Sequence, residues 1–149
     1  MTADSSMREM VAGLDVPDFE TTAFTTPPAL VDATVSIVTT AGLAHRGDPL
    51  WDEGTSGFRS FAADDRDLII AHQSTNFDRS GFTADRNVAY PIDRLEEMEH
   101  RGAIGAVAPR HLSFTGPILE LTTIRLDTGP AAARLLLDDR VDVVLLTPV

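Results

Sequence analysis

From Thr34 the segment TVSIVTTAGL carries Val35, Ile37 and Val38 into Thr-Thr-Ala-Gly, the pattern of a strand that ends in a tight turn at Gly42. The following AHRGDPLWDEGTSG is crowded with glycine, proline and aspartate and predicts a loop around Trp51. FRSFA alternates well enough for a short strand, and Leu68, Ile69, Ile70 and Ala71 predict a third that terminates in His72. The polar, glycine-containing stretch STNFDRSGFTADRNVAY reads as a loop. A helix is expected over YPIDRLEEMEHRG: Pro91 suits a first turn, Ile92, Leu95 and Met98 share one face, His100 and Arg101 come late, and Gly102 closes it. AIGAVAPRH predicts a buried strand ending near His111, and DTGPAAARLLLDDR a second helix with Thr128 as N-cap and Pro130 in its first turn. The final VDVVLLTPV is a β-branched, nearly continuous apolar run, the pattern of a central strand covered by helices on both faces.

Strands alternating with helices at short spacing predict an α/β fold, a three-layer sandwich with a mostly parallel sheet of flavodoxin- or Rossmann-like topology. Residues 1–33 are largely polar and small and finish in FTTPPAL, whose adjacent prolines favour an extended N-terminal arm. One α/β domain is then expected over residues 34–149, and a length of 149 residues gives no reason to divide it. The chain shows no internal repeat and no low-complexity segment.

Composition narrows the chemistry. The 43% apolar and 23% charged content are those of an ordinary globular protein. All 12 basic residues are arginine, so no Schiff base can form on a lysine of this chain, and without cysteine it has no thiol nucleophile of its own. A net charge of -11 weighs against nucleic acid, whose phosphates call for clustered positive charge. The opening MTADSSMREMVAGLD lacks a secretory apolar core, and no run approaches the roughly 20 apolar residues of a membrane span, so a cytoplasmic protein is expected.

Three of the four histidines, His45, His72 and His111, follow predicted strands by a few residues at most. In a parallel sheet they would converge on the carboxyl edge, where such folds gather ligands. Each is also readable as a loop histidine bonded to a carbonyl, and His100 as a surface charge favouring a helix C-terminus. No HExxH or HxH spacing supports a metal site. Asp78 and Arg79 in TNFDRSGF, with Asp93 and Arg94 in YPIDRLEE, add charges beside that edge. A carboxylate that binds an ammonium and an arginine that grips a carboxylate would suit an amino-acid-like substrate. Asp93 and Arg94 are equally readable as the opening of a helix. TTAG and SFTG resemble nucleotide-turn glycines only superficially, because neither GxGxxG nor GxxxxGK[ST] is present, and no Gly-x-Ser-x-Gly elbow occurs.

The segments VSIVTTAGLAHRGDPLW, AHQSTNFDR, YPIDRLEEMEHRGAIGAVAPRHLSFTG and VDVVLLTPV, in this order and spanning about Thr34 to Val149, resemble the selenoprotein B family. That family comprises component B of glycine, sarcosine and betaine reductases and the related subunit of D-proline reductase. The resemblance implies an oxidoreductase component that reductively cleaves the carbon–nitrogen bond of a small amino acid or its N-methyl derivative, with thiols as electron source. It implies a selenocysteine or cysteine just beyond Val149 and a pyruvoyl-type group on a partner subunit, this chain holding no cofactor itself. On that view the chain is truncated before its nucleophile and inactive alone. His72 and His111, matching the family's histidines, would support catalysis, and His45, Asp78, Arg79, Asp93 and Arg94 would bind substrate. The expected partners are other reductase subunits and a small amino acid, with a homo-oligomer left open. The other reading is a non-catalytic α/β module that binds a small ligand or a subunit, and a flavodoxin-like nucleotide binder would need a phosphate loop not found here.

Overall fold

Strand β1 (Thr34–Thr39) is the axis of the structure, a computed structural model that describes residues 3–13, 18–22, 24–52, 54–72, 79–116 and 121–149. On one side of β1 lie β5 (Ala106–Val107) and β6 (Arg110–Ser113), both parallel to it; β7 (Val143–Thr147) pairs with it in parallel from Val35 to Thr39 and takes the other side. β3 (Arg59–Ala62) adds to β6 in the antiparallel sense. The result is a mixed α/β protein with a mostly parallel sheet.

Two short strands leave this sheet. β2 (Leu43–His45) and β4 (Leu68–Ile70) form an antiparallel ribbon with Leu43 opposite Ile70 and His45 opposite Leu68. The pattern at Leu68–Ile70 was legible as a strand, but its partner is β2 rather than the main sheet, and β2 lies in the stretch expected to be loop. The ribbon and helix α3 (Ile92–His100) cover one side of the sheet, where Val35 and Ile37 meet Leu43, Phe61, Tyr90, Ile92 and Leu95. On the other side Val38, Leu112 and Phe114 pack with Ala132, Leu135 and Leu136 of α4 (Gly129–Asp138). The period of two along β1 thus serves two separate cores.

α3 forms where the sequence placed it, with Ile92 and Leu95 buried and Gly102 at φ +67° just past its end. The stretch before it is not all loop: α2 (Ser80–Ala84) and a 3-10 turn over Arg86–Val88 lie there. The last helical segment begins earlier than expected. Helical turns start at Thr122 and pass through a π segment, Ile124–Thr128, before α4. Thr128 therefore caps nothing; its hydroxyl donates to the Ser56 carbonyl at 2.7 Å. Pro130 brings no N–H and would crowd a regular turn before it, and the wider π register, in which the Gly129 amide reaches the Ile124 carbonyl, relieves that crowding.

β7 corrects the expectation of a covered central strand. Among the described residues its only strand partner is β1, and Val144, Leu145 and Leu146 are 37%, 37% and 68% exposed. A continuous apolar run identifies a strand but does not say what lies beside it. The N-terminal arm is not extended throughout either: α1 (Ala3–Ala12) is helical, and a 3-10 turn over Leu30–Asp32 leads into β1. That turn is locked from outside by Gly105, whose amide donates to the Leu30 and Ala33 carbonyls at 2.9 and 3.0 Å. A Cβ there would stand 2.6 Å from the Asp32 carbonyl carbon, so only glycine allows the approach.

Candidate functional site at the carboxyl edge

β1 leaves the sheet through Gly42, at φ +63°, whose amide donates to the Phe114 carbonyl at 2.8 Å while its own carbonyl accepts the Ala71 amide at 2.9 Å. The ends of β1, β6 and β4 are thereby drawn together. His72, 4% exposed, stands at this junction, and its Nε2 accepts the Gly116 amide at 3.2 Å. An amide N–H can only donate, so Nε2 carries no proton and the imidazole is neutral. Burial pushes the His72 pKa down, and the Arg79 charge adds to this. Arg79 donates through Nη2 to the His72 carbonyl, which leaves an exposed guanidinium beside a buried neutral imidazole.

The other flank of the edge is made of threonines. The Thr39 hydroxyl reaches the Ala89 carbonyl at 2.9 Å and the Thr147 carbonyl at 3.1 Å, and the Thr147 hydroxyl donates to Ala89 at 3.0 Å. The Val149 amide donates to Thr40 Oγ1 at 3.0 Å. The end of β7 is therefore fastened two residues along β1 from Gly42, the residue that packs on His72. Chemically the edge offers, among the described residues, one neutral imidazole and the exposed Arg79 guanidinium, which can take a carboxylate, while the threonine hydroxyls spend their protons on main-chain carbonyls. With no cysteine or lysine, the chain brings no soft nucleophile to it.

The remaining sequence-derived candidates lie elsewhere, which corrects the expected convergence of the three histidines. His45 ends β2 in the ribbon; its Nε2 meets Asp65, its Nδ1 lies 3.4 Å from Asp48, and the bond to Asp65 above all raises its pKa. Both ring nitrogens are thus occupied by carboxylates. Asp93 is committed to Arg86, which donates to it at 2.8 and 3.3 Å, and to Asn87 at 2.9 Å, and these bonds hold its carboxyl below the usual range. Arg94 makes an exposed pair with Glu97 at 2.8 Å. Asp78 lies outside the described residues. His111 is fully buried inside the sheet, in β6 rather than after it. The residues that reasoning from sequence missed are Thr39, Thr40, Gly42, Gly116 and Thr147. TTAG and SFTG marked all of them but Thr147, two strand ends that each run through threonine into glycine, set aside because they match no phosphate loop.

A mixed α/β protein whose strand ends meet around a buried histidine is as far as geometry defines the class. The profile of the family described as glycine/sarcosine/betaine reductase selenoprotein B (GRDB) matches residues 6–149, and the chain belongs to that family. It is 33% identical over 121 residues to the D-proline reductase subunit gamma of Acetoanaerobium sticklandii, covering 79% of this chain and 49% of that protein. It is 29% identical over 133 residues to the sarcosine reductase complex component B subunit beta of Peptoclostridium acidaminophilum, covering 80% and 29%. The chain thus spans half the length of these relatives or less. No solved structure matches it. Among the described residues no helix is long and apolar enough to cross a membrane.

Proposed function

We propose that this chain is a subunit of a glycine/sarcosine/betaine- or D-proline-type reductase and that its carboxyl edge binds and orients the small amino-acid substrate. The observation that carries the reading is the meeting of Gly42, His72 and Gly116 at the ends of β4, β1 and β6, with the β7 end tied in through Thr40. The order β6–β1–β7, with α3 and α4 on opposite sides, supports a doubly wound topology in which β1 and β7 flank the switch point, the place where such sheets bind ligands. In this reading Arg79 takes the substrate carboxylate, and His72, neutral at working pH, accepts hydrogen bonds but adds no charge.

The reductive step needs a soft nucleophile and thiol electrons. A selenolate or thiolate on a segment following Val149, or presented by another subunit, would meet this edge and supply the attack that breaks the carbon–nitrogen bond. A pyruvoyl-type group on a partner belongs to the same proposal. The fit rests on Arg79, an exposed cation beside His72 at the junction to which Thr40 ties the end of β7, because a nearby positive charge favours the thiolate or selenolate. The chain's own task is to bind, orient and exclude water. The test is an amide-resolved NMR titration with glycine, sarcosine, betaine and D-proline. Shifts clustered at Thr40, Gly42, His72, Arg79 and Gly116 are expected. No shift with any of the four, or shifts confined to the α4 side, would overturn the reading.

A further inference from the structure

β1 and its neighbour strand fall out of step in the middle of the sheet. Val35 pairs with Val107 and Val38 with Leu112, so Ser36 and Ile37 face the four residues Ala108 to His111. A parallel ladder cannot continue across two surplus residues, and the Ile37 amide would be left without a carbonyl in a fully buried position. The His111 side chain closes the gap: Nδ1 accepts the Ile37 amide at 3.0 Å, while the Ser36 hydroxyl donates to the Arg110 carbonyl at 2.9 Å. Pro109 and Arg110 fix the bulge from outside, through the Ala63 amide of the β3 end and through Asp139 at the end of α4.

We propose that His111 is a positioning residue whose imidazole, held as the Nε2–H tautomer, replaces a main-chain carbonyl in the β1–β6 ladder and so sets the strand ends that enclose His72. Several observations agree. Since the Ile37 amide can only donate, Nδ1 must be unprotonated. Nε2 is buried with no partner among the described residues, beside the ring of Tyr90 at 5.7 Å between centroids, so the side chain does not reach solvent. Burial pushes its pKa down to about 4, which keeps the acceptor available at neutral pH. Beyond the bulge the ladder resumes at Val38–Leu112 and Thr39–Ser113, and from there the strands lead directly to Gly42 and Gly116, the pair that holds His72. Moving the register at Ile37 by one residue would carry that displacement to the edge.

This deepens the carboxyl-edge reading and rests on it only in calling the edge a substrate site. In the unmodified protein, long-range proton–nitrogen spectra of the imidazoles should show His111 neutral, protonated on Nε2 and without titration down to about pH 5. In His111→Leu the Ile37 amide should exchange with deuterium about tenfold faster or more, and the Gly116 amide and His72 ring signals should move. His111→Asn, whose side-chain oxygen can occupy the Nδ1 position, should restore all three. A His111 protonated on Nδ1, ordinary titration near neutrality, or a folded His111→Leu with Ile37, Gly116 and His72 unchanged would overturn the proposal. Should His111→Leu fail to fold, the tautomer in the unmodified protein still decides. Amino acids that fail to bind while the tautomer stands as described would sink the substrate site and leave the positioning role intact.

Discussion

Replacing Gly42 by alanine tests the carboxyl edge through a single methyl group. Two costs combine at this position. The first is backbone: φ is +63°, and an L side chain in that region costs about 1 kcal/mol. The second is steric, because the new Cβ would stand 3.1 Å from the His72 Cα, 3.2 Å from its nitrogen and 3.2 Å from Thr115 Oγ1. Two of these neighbours are main chain, so His72 itself has to give way, an overpacking cost of roughly 1–3 kcal/mol. Gly102 supplies the control, since its φ of +67° is nearly the same and a Cβ there meets nothing within 4 Å. Gly102→Ala should therefore lose only the backbone cost, about 1 kcal/mol, and Gly42→Ala about 2–4 kcal/mol. At roughly 2–4 °C per kcal/mol for a chain of this size, Tm should separate the variants by about 2–12 °C. The His72 ring signals should move in Gly42→Ala and stay in Gly102→Ala. Equal Tm losses with an unmoved His72 would refute the claim that Gly42 sets its place.

Stability should fall as the pH is lowered from 6.5 toward 4, because His111 is held neutral in the folded state to about 4 while the unfolded chain takes its proton at 6.5. The unfolded state binds more protons in that window, so the contribution is whole above 6.5 and drains at up to about 1.4 kcal/mol per unit, readable as urea midpoints; a flat profile would contradict it. His72 acts in the same sense, whereas the raised pKa of His45 gives a contribution that is full below 6.5 and lost as pH rises through its folded value. Gly129→Ala should cost about 2 kcal/mol or more in thermal unfolding, since its Cβ would run into the Ile124 carbonyl that closes the π turn. Leu146→Lys should change stability in urea unfolding by less than about 0.5 kcal/mol, because that side chain already faces water.

What could be read from the sequence was mostly local. α3 carries its own start and stop in Pro91 and Gly102, and both lie at its ends. β1 was legible because Val35, Ile37 and Val38 lead into a turn only glycine makes easily. β2 was not: Leu43, Ala44 and His45 form a strand because β4 lies opposite, and nothing in three residues states that partnership. His111 was misplaced for a similar reason. AIGAVAPRH reads as one strand ending near His111, yet a bulge at Pro109 divides it, and β6 runs past His111 to Ser113 because Phe61 and Ser60 of β3 pair with His111 and Leu112. The site divides likewise. The place of His72 at a strand end was legible because it ends an apolar run, whereas Gly116 meets it only through a bond across 44 residues that no periodicity encodes.

β1 also fixes the order in which this sheet can be completed. Thr39 and Thr147 bond across 108 residues, and the strands on its other side come from residues 106–113. During synthesis at about 5–20 residues per second, β1 leaves the ribosome with both edges bare and waits roughly 5–20 s for its last neighbour. Throughout that interval Val35, Ile37 and Val38 form a short β-branched template open to any passing strand. The nascent chain is therefore most vulnerable between the emergence of β1 and that of β7, and factors that shield new chains would act on β1 rather than on β7.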